Sequence, residues 1–402
     1  MTPGTKNEER GTKNQEQKAS RFLFLNQFVP PDPAPTARLL GDVADELLRR
    51  GHEIVFVGDR SDYRGGKTLL GSRALREGVS LLRLLARTMF TPRADVIICL
   101  TSPPLVAVVA QWSRLFHRRA KLIHWAMDLY PDVAVALGEV RENSLLHRIT
   151  SALMGSVYRA CDLIVVLDAE MSARVGLHGA ASEIYPPWPP GTDPDIQTKL
   201  IEPARETPVP GKTFTWLYSG NLGRAHEWTT LIDAQHLLEK EGIAVDLVFQ
   251  GGGTERKAAQ HHAGSMGLTR CHWRPYAGEE ELVPSLLAAD CLIVTQRPET
   301  SGCLWPSKLA LILLMDKPIL WIGATNGGVS RLLREAGHAC FAPGEPIAVA
   351  ETIKTMIQAR EIHDEPTAAQ TLQDRIKGTR ADSIAALASR FEGSVQEPKS
   401  PS

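Results

Sequence analysis

Short apolar runs alternate with amphipathic segments along almost the whole chain. RFLFLNQF (21–28), EIVFVGD (53–59), ADVIICL (94–100), KLIHW at the start of 121–138, and LIVVLD (163–168) are β-branched or aromatic runs of strand length. Between them, TARLLGDVADELLRRGHE repeats its apolar positions at three- and four-residue steps and closes on Gly51, a helix with a C-cap. SPPLVAVVAQWSRLF reads as a buried helix, and LLHRITSALMGSVYRACD as another. The second half repeats the scheme. TFTWLYSG, VDLVFQGGG (245–253), CHWRPY, DCLIVTQ (290–296) and KPILWIG predict strands, with helices from Glu227 to Glu241, over TERKAAQHHAGSMG, GEEELVPSLLAA and LWPSKLALILLM, and around 329–337. This alternation predicts an α/β protein of two Rossmann-like domains, each a doubly wound parallel sheet. Ligand is then expected at the carboxyl ends of the strands, in the cleft between the halves.

Punctuation between these runs sets the expected boundaries. Residues 1–20 are polar and featureless, as expected of a disordered arm. The first domain spans 21–188. Pro186, Pro187, Pro189 and Pro190 break helix and sheet alike, so 189–212 is read as the linker. The second domain spans 213–365, a helical pattern runs from 366 to 391, and 392–402 reads as a disordered tail.

Composition narrows the picture by exclusion. A net charge of −1 over 402 residues gives no global argument for nucleic acid. Charge is uneven locally: residues 60–93 hold eight Arg or Lys against two acids, and 112–121 adds Arg114, Arg118, Arg119 and Lys121 with none. SLLRLLARTMF places leucines between arginines, so a helix there either contacts a membrane surface or packs on the sheet. The six cysteines form no CxxC pair, and several sit in apolar runs; a reducing, cytoplasmic compartment fits. No apolar run reaches the length of a membrane span. His261 and His262 lie on a polar helix without partner ligands, so no metal is expected.

The chemistry centres on YSGNLGRAHEWTTLIDA (218–234). A strand, a glycine turn and a helix N-terminus form a recipe for holding phosphate. Together with WPSKL and HWAMDLYPDVAVALG, this stretch resembles the GT-B glycosyltransferases of family 4, the retaining group, and within it the bacterial branch that builds exopolysaccharide, capsule and O-antigen, including colanic-acid-type transferases. FVPPDPAPTAR, RRGHEIVFV, DLYPDVAVALG, YSGNLG, FQGGG and WPSKL follow one another in the family's order over about residues 21–360.

The resemblance implies a nucleotide-diphosphate sugar as donor, no cofactor, no metal, and a saccharide acceptor, lipid-linked, at the inner membrane face. It implies donor contacts from Gly220, Asn221, Gly223 and Arg224, from Gly251, Gly252 and Gly253, from Glu299, Ser301 and Gly302, and from Ser307 and Lys308. Beside that stand plainer readings: a tight turn with an incidental arginine, a glycine-rich strand end, an N-cap with an exposed lysine. Asp128, with Arg224 and Lys308, is the catalytic candidate. Pro33, Arg38, His124 and Asp128 are expected on the acceptor side, although Asp128 could cap a turn and His124 could be a core histidine. The resemblance also implies that the C-terminal helix crosses back to the first domain.

Two departures weaken the carry-over. The family's paired glutamates fall at Cys303 and Leu311, and proline and alanine at Pro33, Ala34 and Pro35 replace a glycine-rich loop. Three functions compete: a transferase, a degenerate non-catalytic partner in polysaccharide assembly, and a nucleotide-sugar 2-epimerase.

Overall fold

A computed structural model describes residues 19–32, 34–59, 73–188, 213–315, 317–362 and 368–396. Residues 1–18 of the expected arm, Pro33, the linker 189–212 and 397–402 lie outside the described residues, whereas 392–396, expected in a disordered tail, continue the last helix. The first unit is built from β1 (Arg21–Leu25), α1 (Pro35–Arg49), β2 (Glu53–Val57), α2 (Arg73–Met89), β3 (Val96–Cys99), α3 (Val106–Ser113), β4 (Lys121–Trp125), α4 (Asp132–Ala136), α5 (Leu145–Ala160), β5 (Leu163–Val166), α6 (Ala169–Gly176) and β6 (Glu183–Ile184). The second comprises β7 (Phe214–Ser219), α7 (Thr229–Lys240), β8 (Val245–Gln250), α8 (Arg256–Ser265), β9 (Cys271–Arg274), α9 (Glu279–Leu287), β10 (Cys291–Thr295), α10 (Leu309–Ile312), β11 (Ile319–Ile322), α11 (Gly328–Glu335), β12 (Ala339–Phe341) and α12 (Pro346–Ile362); α13 (Ala368–Gln396) follows.

Each unit is one six-stranded sheet, ordered β2-β1-β3-β4-β5-β6 and β12-β11-β10-β7-β8-β9, with every strand pair parallel. The central strands β1, β3, β4, β5 and β10 are apolar runs because helices cover both faces. The two strands that no sequence run marks, β6 and β12, are two- and three-residue edge strands with no fully buried side chain. Their short length removes the periodicity by which a strand is read.

Helix α13 lies on the first unit. Glu392 accepts hydrogen bonds from Arg50 at 2.5 Å and meets His52 at 2.6 Å, Arg390 pairs with Glu183, and Phe391 packs edge-on against Trp125. Leu387, Ala388 and Phe391 are fully buried in the first core, which is what fastens the chain's last helix there.

The units meet at the carboxyl ends of their strands. Asp128 and Leu304 form an isolated antiparallel bridge, and Leu129 N donates to Cys303 O at 2.8 Å. Arg174 donates to Ser301 O at 3.0 Å, and Glu170 pairs with Arg331 at 2.7 Å.

Candidate active site

The loops after β7 and β8 build the floor of the cleft on the second unit. Gly220 N donates to Gln250 O at 2.8 Å and Leu222 N to Gly252 O at 2.7 Å, so the two loops are zipped together by backbone. A Cβ on Gly251 would lie 2.0 Å from Gly220 O, and one on Gly253 would lie 2.2 Å from Leu222 O; both residues also have φ near +130°. Only glycine fits there. Gly252 faces the Tyr276 ring. The glycine triplet therefore serves the contact between the two loops first, and any donor contact from it is to backbone that this contact holds in place.

The helix after the glycine turn starts at Thr229, two residues later than the expected Glu227, with Trp228 as its N-cap residue; Glu227, just before it, accepts from Thr230 N at 3.1 Å. Burial raises the Glu227 pKa, and its Oε2 has no partner. The protein's own carboxylate thus takes up part of the helix terminus that the strand–turn–helix pattern assigns to phosphate.

A positive group stands elsewhere. The ammonium of Lys308 is shut off from solvent, lacks any hydrogen-bond partner, and sits 3.6 Å from the centre of the Tyr218 ring. Gly220 leaves room for it, since a Cβ there would be 3.2 Å from Nζ. The ring face attracts the cation, but desolvation pulls its pKa down to about 7. His226 stands edge-on to the same ring, with Nδ1 2.8 Å from Thr295 O. Burial, reinforced by Lys308, drives His226 down to about 3, so it is neutral; Nδ1 donates to the carbonyl and Nε2 carries the lone pair. Tyr218 in turn donates to Asn221 O at 2.9 Å, and Tyr276 to Asn221 Oδ1 at 3.2 Å.

Arg224 does not lie over this floor. It crosses to the first unit, where it donates to Leu137 O at 2.5 Å and faces Glu139 at 3.5 Å. Gly223 accepts from His226 N in the same turn. Ser307 is exposed, and Lys308 rather than Ser307 is the cap residue of α10, a helix of only four residues. The expected side-chain cap from Ser307 is therefore absent, and Lys308 acts as a buried charge instead of as a group at a helix terminus.

The loop 298–304 faces the first unit. Glu299 is exposed on a single 3-10 turn (Pro298–Thr300), Ser301 accepts from Arg174, and a Cβ on Gly302 would meet Glu170. Cys303 is fully buried in the first core and Leu311 half-buried in the second, so neither position could hold a carboxylate in the cleft without desolvating it.

On the first unit, burial raises Asp128 to about 6, which leaves a carboxylate at neutral pH beside the inter-unit bridge. Arg38 is half-buried on the first turn of α1. His124 is in the core, not the cleft: it is buried on β4, its Nδ1 lies 3.2 Å from Cys99 O, and it stacks on Tyr158. Its pKa falls to about 4 from burial. Among the described residues no cluster of three His, Cys, Asp or Glu could hold a metal.

The fold has counterparts. The chain is 26% identical over 300 residues to "Probable glycosyltransferase WbjE" of Pseudomonas aeruginosa, covering 72% of this chain and 73% of that protein. No family model matches the chain. The structure superposes on Anabaena HepE in complex with UDP with a TM-score of 0.63 at 16% identity, covering 93% of this chain and all of that one. It superposes on WaaG, a glycosyltransferase involved in lipopolysaccharide biosynthesis, with a TM-score of 0.59 at 15% identity, covering 94% of this chain and all of that one. The chain has the two-domain GT-B fold and is similar in sequence to a glycosyltransferase.

Motif reading alone did not mark Tyr218, Tyr276 or Glu227 as site residues. Tyr218 ends a strand run and reads as core, which it also is; only the cross-loop placement of Lys308 makes its ring a cation platform.

Proposed function

We propose that the transferase moves a sugar from a nucleotide-diphosphate donor to a saccharide acceptor, lipid-linked, in cell-surface polysaccharide assembly, with retention of configuration. The buried, unpartnered ammonium of Lys308 carries this reading. A cation desolvated without a counter-charge is costly; a diphosphate beside it supplies the missing charge and returns the lysine to its protonated state. Because leaving-group charge grows as the glycosidic bond breaks, Lys308 stabilises the transition state more than the ground state. Asp128, ionised at neutral pH and held by the bridge to Leu304, orients sugar hydroxyls from the opposite wall. The acceptor hydroxyl approaches on the face the diphosphate leaves, and a phosphate oxygen takes its proton, so no separate general base is needed. WaaG, involved in lipopolysaccharide biosynthesis, and HepE, solved with UDP, support the polysaccharide context and a uridine nucleotide.

Arg224 is the mobile element of this scheme. Its pairing with Leu137 O and Glu139 holds the units together, and turning inward would add a second positive charge to the diphosphate. A non-catalytic role in assembly is the competing reading, favoured by the burial of Cys303 and Leu311 where acidic donor contacts would stand.

Calorimetry with UDP-, GDP-, ADP- and TDP-linked sugars on the wild type, Lys308→Met and Arg224→Ala tests the donor site. Binding of one nucleotide class that Lys308→Met removes supports it. Transfer to an acceptor extract, with the anomeric configuration read by NMR, separates turnover from binding alone. Binding without transfer favours the assembly role, and no binding at millimolar ligand overturns the donor site.

A further inference from the structure

The first unit carries an apolar face that its own core does not use. Helix α2 is apolar on two sides: Leu81, Leu84 and Leu85 turn towards the sheet, while Leu82 and Met89 point outward and lead to Phe90, which is 88% exposed. Contrary to the sequence expectation, α3 is buried only along its inner side; Trp112, Leu115 and Phe116 at its end are exposed. Helix α5 repeats the pattern, with Leu145, Leu146, Ile149 and Leu153 exposed at three- and four-residue steps. These helices lie side by side. Ser113 Oγ donates to Thr88 Oγ1 at 3.0 Å, tying α3 to α2, and Gln111 Nε2 donates to Ser156 Oγ at 3.3 Å, tying α3 to α5. All three connect strands that step the same way across the sheet, so right-handed crossovers place them on one face, opposite α1 and α13.

We propose that α2, the end of α3 with the loop after it, and α5 form one docking face for a bilayer that contains acidic lipids. Charge selects this occupant. The stretches 75–93, 112–119 and 141–159 contain ten arginines and no lysine, against the two acids Glu77 and Glu142. Arginines alternate with the outward apolar groups: Arg83 beside Leu82, Arg118 and Arg119 beside Phe116, Arg148 beside Ile149, while Arg87 and Arg114 are turned to Gly58 O and Ala160 O and Arg83 also faces Asp59 at 3.9 Å. Such interleaving lets apolar side chains enter the acyl boundary while guanidinium groups meet headgroup phosphates. A second copy of the chain is a poor occupant, since a two-fold contact through this face would set arginines against arginines. No helix among the described residues is long and apolar enough to cross a membrane, so the contact is interfacial.

The face borders the cleft. Leu137 and Glu139, which hold Arg224 of the second unit, lead within a few residues into Ser144 and Leu145 at the start of α5. Docking there would bring the cleft mouth to the lipid surface, and in that clause alone the inference rests on the transferase reading with a lipid-linked acceptor.

Co-sedimentation of the full chain with phosphatidylcholine vesicles, with and without phosphatidylglycerol, tests the proposal. Binding is expected only to the acidic vesicles and is expected to fall as salt rises. Leu115→Glu with Phe116→Glu, and independently Leu145→Glu with Leu146→Glu, should each lower the bound fraction at least about tenfold. Arg118→Ala with Arg119→Ala should lower it about fivefold or more. All these side chains are exposed, and unchanged nucleotide-sugar affinity of the variants would show an intact fold. Absence of binding, equal binding to both vesicle types, or wild-type binding by both glutamate pairs overturns the proposal. So does a dimer by light scattering that either pair dissociates. Should nucleotide-sugar binding fail while vesicle binding holds, the donor reading falls and the docking face stands.

Discussion

The ammonium of Lys308 lies 3.6 Å above the ring of Tyr218, with no hydrogen-bond partner and no water-exposed surface of its own. A group placed this way lowers the stability of the free protein and raises its affinity for an anion, and the two effects can be separated by substitution.

Lys308→Met keeps the volume and the contact with Tyr218 while removing the charge. The variant should bind the nucleotide-sugar about 100-fold more weakly. Its melting temperature without ligand should rise by about 2–4 °C, as expected when a stressed functional group is removed. Calorimetry and a thermal melt on the same preparation check both. A variant that binds as well as the wild type removes Lys308 from the donor site.

Acidity offers a second readout. Burial holds Lys308 near 7, and a nucleotide-sugar has no phosphate proton to lose in that range, so binding follows the lysine. Affinity should be flat only between about pH 6, below which Asp128 takes a proton, and about pH 7, and fall by up to about tenfold per unit above 7, until the pKa of the complex is reached. Lys308→Arg, charged throughout, should lose this dependence. The stability of the free protein runs the other way: between about 7 and the ordinary lysine range the unfolded chain holds a proton that the folded one lacks, so stability rises with pH there.

The glycine triplet should respond unevenly. Gly253→Ala places a methyl 2.2 Å from Leu222 O on a backbone with φ +127°, and neither the carbonyl nor the turn can yield. A loss of about 3 kcal/mol or more is expected. Gly252→Ala meets only the Tyr276 ring, at 2.9 Å, and that ring is exposed enough to swing. Its cost should be about 1 kcal/mol. Urea midpoints of the two variants make the comparison.

Buried histidines should set the acid limb of stability. His124 stays neutral in the folded state down to about pH 4, whereas in the unfolded chain it takes a proton near 6.5. Stability should therefore drop as pH falls from 6.5 towards 4, by up to about 1.4 kcal/mol per unit for this group. His124→Asn, which can still donate to Cys99 O, should flatten that limb in thermal melts taken across the range.

Alternation of apolar strand runs with amphipathic segments was enough to read two doubly wound sheets, because burial on both faces writes a continuous apolar run into each central strand. β6 and β12 escaped because two or three residues, none of them fully buried, carry no such run. At the site, Gly220, Gly251, Gly253 and Lys308 stand out as letters, yet what they touch is a matter of loops brought together across the sheet. Arg224 shows the difference most clearly: the motif points it at a phosphate, and the structure pairs it with Leu137 and Glu139 of the other unit.

Fold class, the alternation of strands and helices in each half and the glycine turn after β7 were thus determined by local sequence, through periodicity and turn chemistry that act over a few residues. Tertiary structure alone decided that the Glu227 carboxylate turns onto the first turn of α7, that Lys308 is buried over Tyr218, that His124 belongs to the core, and that α2, α3 and α5 share one apolar, arginine-rich face. Each of those facts joins residues distant in the chain, and burial or proximity between such residues follows from packing, which no local pattern encodes.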